Sequence, residues 1–264
     1  MATDRRTIRF AVPKGRLLKP TADFFAKAGL PFEDYDEGSK SYRAKIGIDD
    51  VVVKIFKPQE IPILVARGEY DLGISGLDWY SESQCEGNVE DLVDLGYGRV
   101  DVVLAIRDIA KFEGVNSAAD LFEMYRGASG KNPLRIWTEY LNLACQLVSN
   151  YERTGPTIIS PYPVKCEDHS PILIFHSFGA TESKPPEDGD AIIDNTETGR
   201  TLRANNLRMI QKVLPSSTAQ LLANRRSLLD AEKKDRIEMI RKACQKVVHR
   251  VAERRGVTYG HLDW

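Results

Sequence analysis

The sequence predicts an α/β fold with mostly parallel sheets and helical crossovers. Three observations predict it. Short apolar runs rich in β-branched residues recur along the chain. Stretches with helical spacing fit between several of them, and glycine or proline marks many of the junctions.

In chain order, Ile8–Val12 reads as a short buried strand and Pro13–Leu17 as a turn. Pro20–Ala28 reads as a helix with Phe24, Phe25 and Ala28 on its apolar face and Gly29 as its stop. Val51–Phe56 is a β-rich run, and Gln59–Arg67 has helical spacing and ends at Gly68. Asp71–Ser75 reads as a strand with a turn at Gly76, and Val100–Ile106 is strongly apolar and β-branched. Further strands are expected at Leu134–Thr138, Thr157–Ile159, Ile172–Phe175 and Ala191–Asp194. Helices are expected at Ala118–Tyr125, Leu141–Asn150 and Arg203–Ile210. Between Asp230 and Arg255, Ile237, Ile240, Cys244, Val247, Val248 and Val251 fall on one helical stripe, with Gly256 as a stop. Acids open this segment and bases close it, which suits the helix dipole. It is expected to pack on its own domain. No internal repeat appears.

Composition narrows the function. The 264 residues allow one large or two small domains; 42% are hydrophobic and 28% charged, as in a globular protein in water. The net charge of −1 gives no bias toward a polyanion, so nucleic acid is not the expected partner. No apolar run approaches the roughly 18 residues of a membrane span, and Met1–Ile8 lacks the apolar core of a secretory signal. Cys85, Cys145, Cys166 and Cys244 are widely separated. A cytoplasmic, reduced protein without structural zinc or disulfides is expected. The four histidines, His169, His176, His249 and His261, have no metal-ligand spacing.

The chemistry gathers at strand ends. Asp190–Leu202 runs from an apolar strand through Asp194 into a loop of hydroxyls, Glu197, Gly199 and Arg200. It reads either as a phosphate cup or as an ordinary strand-to-helix turn. In the first reading Gly199 lets the backbone approach an anion, and the N–H groups of Thr198–Thr201 point into the cup. Thr196, Thr198 and Thr201 add hydroxyls, while Asp194 and Glu197 accept from ribose hydroxyls or hold magnesium. Lys14, Gly15 and Arg16 follow the first strand, where they would meet a polyphosphate or merely solvent. Lys54 and Lys57 repeat the theme. Gly73, Ser75, Gly76 and Asp78 place bare backbone and an acid at a third strand end, as a base pocket or a tight turn. Trp79 and Tyr80 read either as rings that stack on a base or as packing residues, the commoner role. No P-loop, dinucleotide fingerprint or nucleophile elbow occurs. Such an inventory suits a reaction run by positioning and charge neutralisation.

Taken in order, Ala11–Leu17, Lys57–Pro62, Asp71–Asp78, Asp94–Arg99, Asp190–Leu202 and Ser216–Asn224 resemble the ATP phosphoribosyltransferase family of histidine biosynthesis. The resemblance covers about Ile8 to Asn224. It implies a two-lobed, type II periplasmic-binding-protein-like fold with a ligand cleft between lobes. Residues 1–100 and 210–264 would form the lobe on the ATP side, and residues 101–209 the lobe of the phosphoribosyl pyrophosphate loop. The implied reaction joins N1 of ATP to C1 of phosphoribosyl pyrophosphate, releases pyrophosphate and requires Mg2+.

By the motif match, Asp194, Thr196, Glu197, Thr198, Gly199, Arg200 and Thr201 would hold the donor. Lys14, Gly15, Arg16, Lys54, Lys57, Ser75, Gly76 and Asp78 would face ATP. Arg16, Asp194 and Glu182, the last in Gly179–Glu182, would serve the chemistry, with Asp194 and Glu197 as metal ligands. Lys57 stands where the family has arginine, Trp137 and Leu141 depart from its small residue and proline, and Pro156–Phe175 looks longer than usual. Long members add a regulatory domain of about 70 residues. Only the Asp230–Arg255 helix and Val257–Trp264 follow here, as in the short form. The resemblance therefore implies a homodimer, with a histidyl-tRNA-synthetase-like regulatory subunit as the partner short forms usually take. Two alternatives stand: a phosphoribosyltransferase with another acceptor base, and a non-catalytic binding module on the same fold.

Overall fold

The computed structural model describes residues 7–39, 41–126, 132–161 and 170–254. Cys166, His169, Gly256, His261 and the 257–264 tail lie outside the described residues. The chain divides into two compact units, residues 1–98 with 218–264 and residues 99–217.

The first unit opens with β1 (Ile8–Pro13), which is apolar on both faces and buried save for Arg9. A single 3-10 turn over Gly15–Leu17 leads into α1 (Leu18–Lys27). Leu18, Thr21, Phe24 and Phe25 form the buried face of α1, and Gly29, at φ +77°, ends it. Then follow β2 (Phe32–Glu33), β3 (Arg43–Ile46), β4 (Val51–Phe56), α2 (Ile61–Ala66), β5 (Leu72–Gly76), α3 (Leu77–Ser83) and β6 (Val89–Asp94). The Gln59–Arg67 helix is thus split into a 3-10 turn at Pro58–Glu60 and α2. Gly76 forms no tight turn. It ends β5 and caps α3 in extended conformation.

The second unit holds β7 (Val100–Arg107), α4 (Ala118–Met124), β8 (Leu134–Thr138), α5 (Leu141–Ser149), β9 (Thr157–Ile159), β10 (Ile172–His176), β11 (Ala191–Thr196), α6 (Arg200–Ala204) and β12 (Leu207–Ser217). The helix expected at Arg203–Ile210 is corrected. Helix α6 stops at Ala204, Asn206 takes the left-handed region at φ 51°, and Leu207 onward is strand. Pairing with β7 overrides the helical spacing there. Because β12 follows β7 as far as Ser217, opposite Val100, the chain leaves this unit eight residues beyond the expected return near Met209. It re-enters the first unit through β13 (Ala219–Asn224), α7 (Arg225–Leu229) and α8 (Ala231–Arg254).

The sheets are mixed rather than mostly parallel. The first is ordered β2-β3-β4-β1-β5-β13-β6, with only β4-β1-β5 parallel. The second is ordered β12-β7-β11-β8-β10-β9, with β11-β8-β10-β9 parallel. The strands carrying the chain into and out of each unit run antiparallel to their neighbours, which sequence alternation does not reveal. Helix α8 lays Ile237, Ile240, Cys244 and Val247 into the core of the first unit beside Phe10, Phe24 and Phe25.

One device recurs in both units. Asp71, just before β5, receives the N–H of Arg9 at 2.8 Å and gives its own N–H to the Arg9 carbonyl. Asp190, just before β11, does the same with Arg135, whose N–H lies at 3.0 Å. Each carboxylate is buried and also meets cations: Arg9 and Lys233 for Asp71, Lys111 and Arg135 for Asp190. Each therefore locks the start of one strand to its parallel neighbour, and the opposite, carboxyl end is left to carry chemistry.

Candidate active site

In the first unit the carboxyl ends of β4, β1 and β5 lie side by side. Lys14 follows β1 in extended conformation, its N–H donates to the Phe56 carbonyl at 2.8 Å, and its ammonium sits 5.4 Å from the Tyr42 ring. Gly15 turns the chain at φ +70°. Exposed Arg16 then donates to the Gly98 carbonyl at 2.8 Å. Exposed Lys57 begins the next turn, where the Glu60 carboxylate takes its N–H at 2.9 Å. Ser75 is buried and donates to the Pro58 carbonyl at 2.7 Å, which ties the ends of β5 and β4 together. Gly76 follows, and Asp78 is buried in the first turn of α3. Lys54 lies inside β4 rather than at its end, with its ammonium 5.2 Å from the Phe56 ring. Tyr80 is a packing residue whose hydroxyl donates to the Val89 carbonyl. One edge thus holds cations on short turns around a floor of buried backbone.

In the second unit the carboxyl ends of β10, β8 and β11 form the corresponding edge. After β11, the Thr196 hydroxyl accepts the Gly199 N–H at 2.9 Å and closes a compact loop. Gly199 stands at φ +69° and caps α6, which Leu202 anchors in a core with Val103, Ala105, Ile192 and Leu207. Arg203 braces the loop from behind, donating from Nη2 to the Thr198 carbonyl at 3.0 Å. Among the described residues, the N–H groups of Thr198, Arg200 and Thr201 meet no acceptor. Glu197, Thr198, Arg200 and Thr201 are exposed.

Asp194 lies at the foot of this loop. Burial pushes its carboxyl up to about 7, against hydrogen bonds from the Asn195 N–H and Thr181 hydroxyl, and the charges of Glu182 and Glu139 push the same way. Glu182 is half-buried in the 3-10 turn Thr181–Ser183, after Ala180 at φ 49°. The sequence pattern therefore brought Asp194 and Glu182 together. It missed Glu139, a lone acid just past β8 whose only signal was its place after a strand. It also missed Thr181, whose hydroxyl lies 3.0 Å from the Ser177 hydroxyl just past β10, and the brace Arg203. Among the described residues no group of three or more His, Cys, Asp or Glu is arranged to hold a metal by itself. Asp194 with its acidic neighbours offers a hard oxygen donor set of the kind magnesium takes when phosphates and water complete its shell.

The fold is of the periplasmic-binding-protein-like class. The chain is similar in structure to the ATP phosphoribosyl transferase (HisG:HisZ) complex from Thermotoga maritima, with a TM-score of 0.66 at 21% identity over 92% of this chain and 100% of that one. The family model for ATP phosphoribosyltransferase matches residues 57–246. An ATP phosphoribosyltransferase of Prosthecochloris aestuarii is 31% identical over 251 residues, 94% of this chain and 74% of that protein. One of Koribacter versatilis is 36% identical over 236 residues, 88% and 69% of the respective lengths. The chain belongs to the ATP phosphoribosyltransferase family. It is a transferase, and its reaction is the first step of histidine biosynthesis. Among the described residues no helix is long and apolar enough to cross a membrane.

Proposed function

We propose that the Asp194–Thr201 loop binds phosphoribosyl pyrophosphate, and that the edge formed by Lys14–Arg16, Lys57 and Ser75–Asp78 binds ATP. The observation that carries this reading is the closed loop with amides facing no acceptor above a half-buried carboxyl. The N–H groups of Thr198, Arg200 and Thr201, with the threonine hydroxyls, receive the donor's 5-phosphate. Asp194 accepts from a ribose hydroxyl. Lys14, Arg16 and Lys57 hold the triphosphate, Lys57 as a point charge. Lys54 adds positive field from inside the strand, and Asp78 accepts from the exocyclic amine.

Adenine N1 is unprotonated at neutral pH and needs no strong base. Its lone pair forms the bond to C1 as the bond from C1 to the pyrophosphate oxygen breaks, and the electron pair leaves with pyrophosphate. Positive charge grows on the ribosyl carbon. Asp194 and Glu182 would stabilise it through their negative charge. Asp194 and Glu197 are the residues that would hold magnesium, which would supply positive charge for the pyrophosphate oxygens. The enzyme works in the cytoplasm as a homodimer, with a histidyl-tRNA-synthetase-like regulatory subunit as its partner. The Thermotoga maritima neighbour, itself a HisG:HisZ complex, supports the last point.

Pyrophosphate release from phosphoribosyl pyrophosphate and Mg2+ tests the reading, with ATP as acceptor and then with free purine and pyrimidine bases. Release with ATP alone is expected. Release with another base and none with ATP would overturn the acceptor, and donor binding without release would leave a binding module.

A further inference from the structure

We propose that the second unit carries an oxyanion site, separate from the Asp194–Thr201 loop, that takes a phosphate- or diphosphate-bearing small molecule. The site is a recess of about 470 Å3 where β7 ends and β12 begins. Three arginines line it, Arg107, Arg203 and Arg208, with Asp108 as the one acid among the lining residues. Backbone carbonyls already orient them. Arg107 donates from Nη1 to the Asn205 carbonyl at 2.9 Å, and Arg208 from Nη2 to the Phe112 carbonyl at 2.9 Å.

The charge balance of the recess points to an anionic ligand. Its one carboxylate is a weak counter-ion, because Asp108 pairs with Arg208 at 3.3 Å while its own side chain is 74% exposed. Such a pair contributes little and yields readily to a multiply charged ligand. Planar guanidinium forks suit the several oxygens of a phosphate, which can engage more than one arginine at once. The recess is large enough for a phosphorylated metabolite.

Arg203 gives the site its meaning. Its Nη2 holds the Thr198 carbonyl at 3.0 Å, so an anion in the recess competes with the substrate loop for the same guanidinium. None of the residues Asp194–Thr201 lines the recess.

Titration with inorganic phosphate and, separately, inorganic pyrophosphate at fixed ionic strength tests it, followed through the arginine Nε–H signals in 1H–15N spectra. Saturable shifts of Arg107, Arg203 and Arg208 are expected, with chloride as an inactive control. Pyrophosphate binding tighter than phosphate would assign the site to diphosphates, and the reverse order to monophosphates. Asp108→Asn should tighten binding about threefold by removing the competing carboxylate, a gain that misfolding cannot imitate. Arg208→Gln should weaken it roughly tenfold. No saturation below roughly 10 mM, equal shifts with chloride, or unchanged affinity in Asp108→Asn would overturn the proposal.

Discussion

Three residues carry most of the functional reading. Arg16 is exposed and its bond to the Gly98 carbonyl is a surface one, so Arg16→Ala should leave the melting temperature nearly unchanged. Its KM for ATP should rise roughly tenfold; steady-state kinetics identical to the parent would remove Arg16 from the site. Gly199 occupies the left-handed region, and a Cβ there would stand 3.0 Å from Arg203 Nη1. Gly199→Val costs about 1–2 kcal/mol in backbone strain alone and crowds the loop, so the KM for the phosphoribosyl donor should climb roughly tenfold or more. A normal donor KM would return the loop to a plain turn. Asp194 supplies a pH signature. Its carboxyl stands at about 7 in the folded protein against an ordinary 3.8. Below the ordinary value it is neutral in both states. Between about 4 and 7 the unfolded chain ionises at this position while the fold keeps the proton, so stability falls across that window and levels off above 7. In protein free of magnesium and substrate, Asp194→Asn should therefore gain on the parent by on the order of 2 kcal/mol as pH goes from 4 to 8. Turnover should fall at the same time. Thermal melts showing no pH-dependent gain would place Asp194 in an ordinary setting.

At the scale of elements, the site rests on how closely α2 lies against β5. A Cβ on Gly73 would stand 2.4 Å from Ile61 Cγ2 and 2.8 Å from Val65 Cγ2. Gly73→Ala should destabilise the first unit by about 1–3 kcal/mol, read as a lower urea midpoint; an unmoved midpoint would mean that α2 gives way freely. Elements with local signals were legible. The β4 and β8 runs were read at their true bounds, because each is a β-rich run with alternating burial, bounded nearby by Asp49, Asp50 and Pro58 or by Pro133. The Asp230–Arg255 stripe also folds as expected, save that Val251 remains 42% exposed. Elements defined by distant partners were not legible. Strand β12 shifts register three times against β7, so its apolar positions keep no period of two. Strand β13 is buried throughout, and its Ala219, Gln220 and Asn224 hide a central strand.

For the whole molecule, the two units share one construction although no repeat is visible in the sequence. Asp71-Leu-Gly-Ile-Ser75 and Asp190-Ala-Ile-Ile-Asp194 have only the leading aspartate, one central isoleucine and their length in common. In each, the buried aspartate fixes the strand start and the chemistry follows at the strand end. Removing one should loosen its own unit. Asp190→Ala leaves Lys111 and Arg135 facing no carboxylate there and leaves the Arg135 N–H without its acceptor, which should cost about 1–3 kcal/mol. Hydrogen exchange should quicken in β8 and β11 while β1 and β5 keep their protection; uniform quickening would mean that the units unfold as one. The sequence by itself determined the α/β class, the strand ends that hold Lys14–Arg16, Ser75–Asp78 and Asp194–Thr201, and the family, since each depends on short stretches in fixed order. Only the tertiary structure decided the mixed sheets, the gathering of Glu139 and Glu182 around Asp194, and the arginine recess behind the loop. These depend on contacts between residues far apart in the chain, which local pattern does not encode.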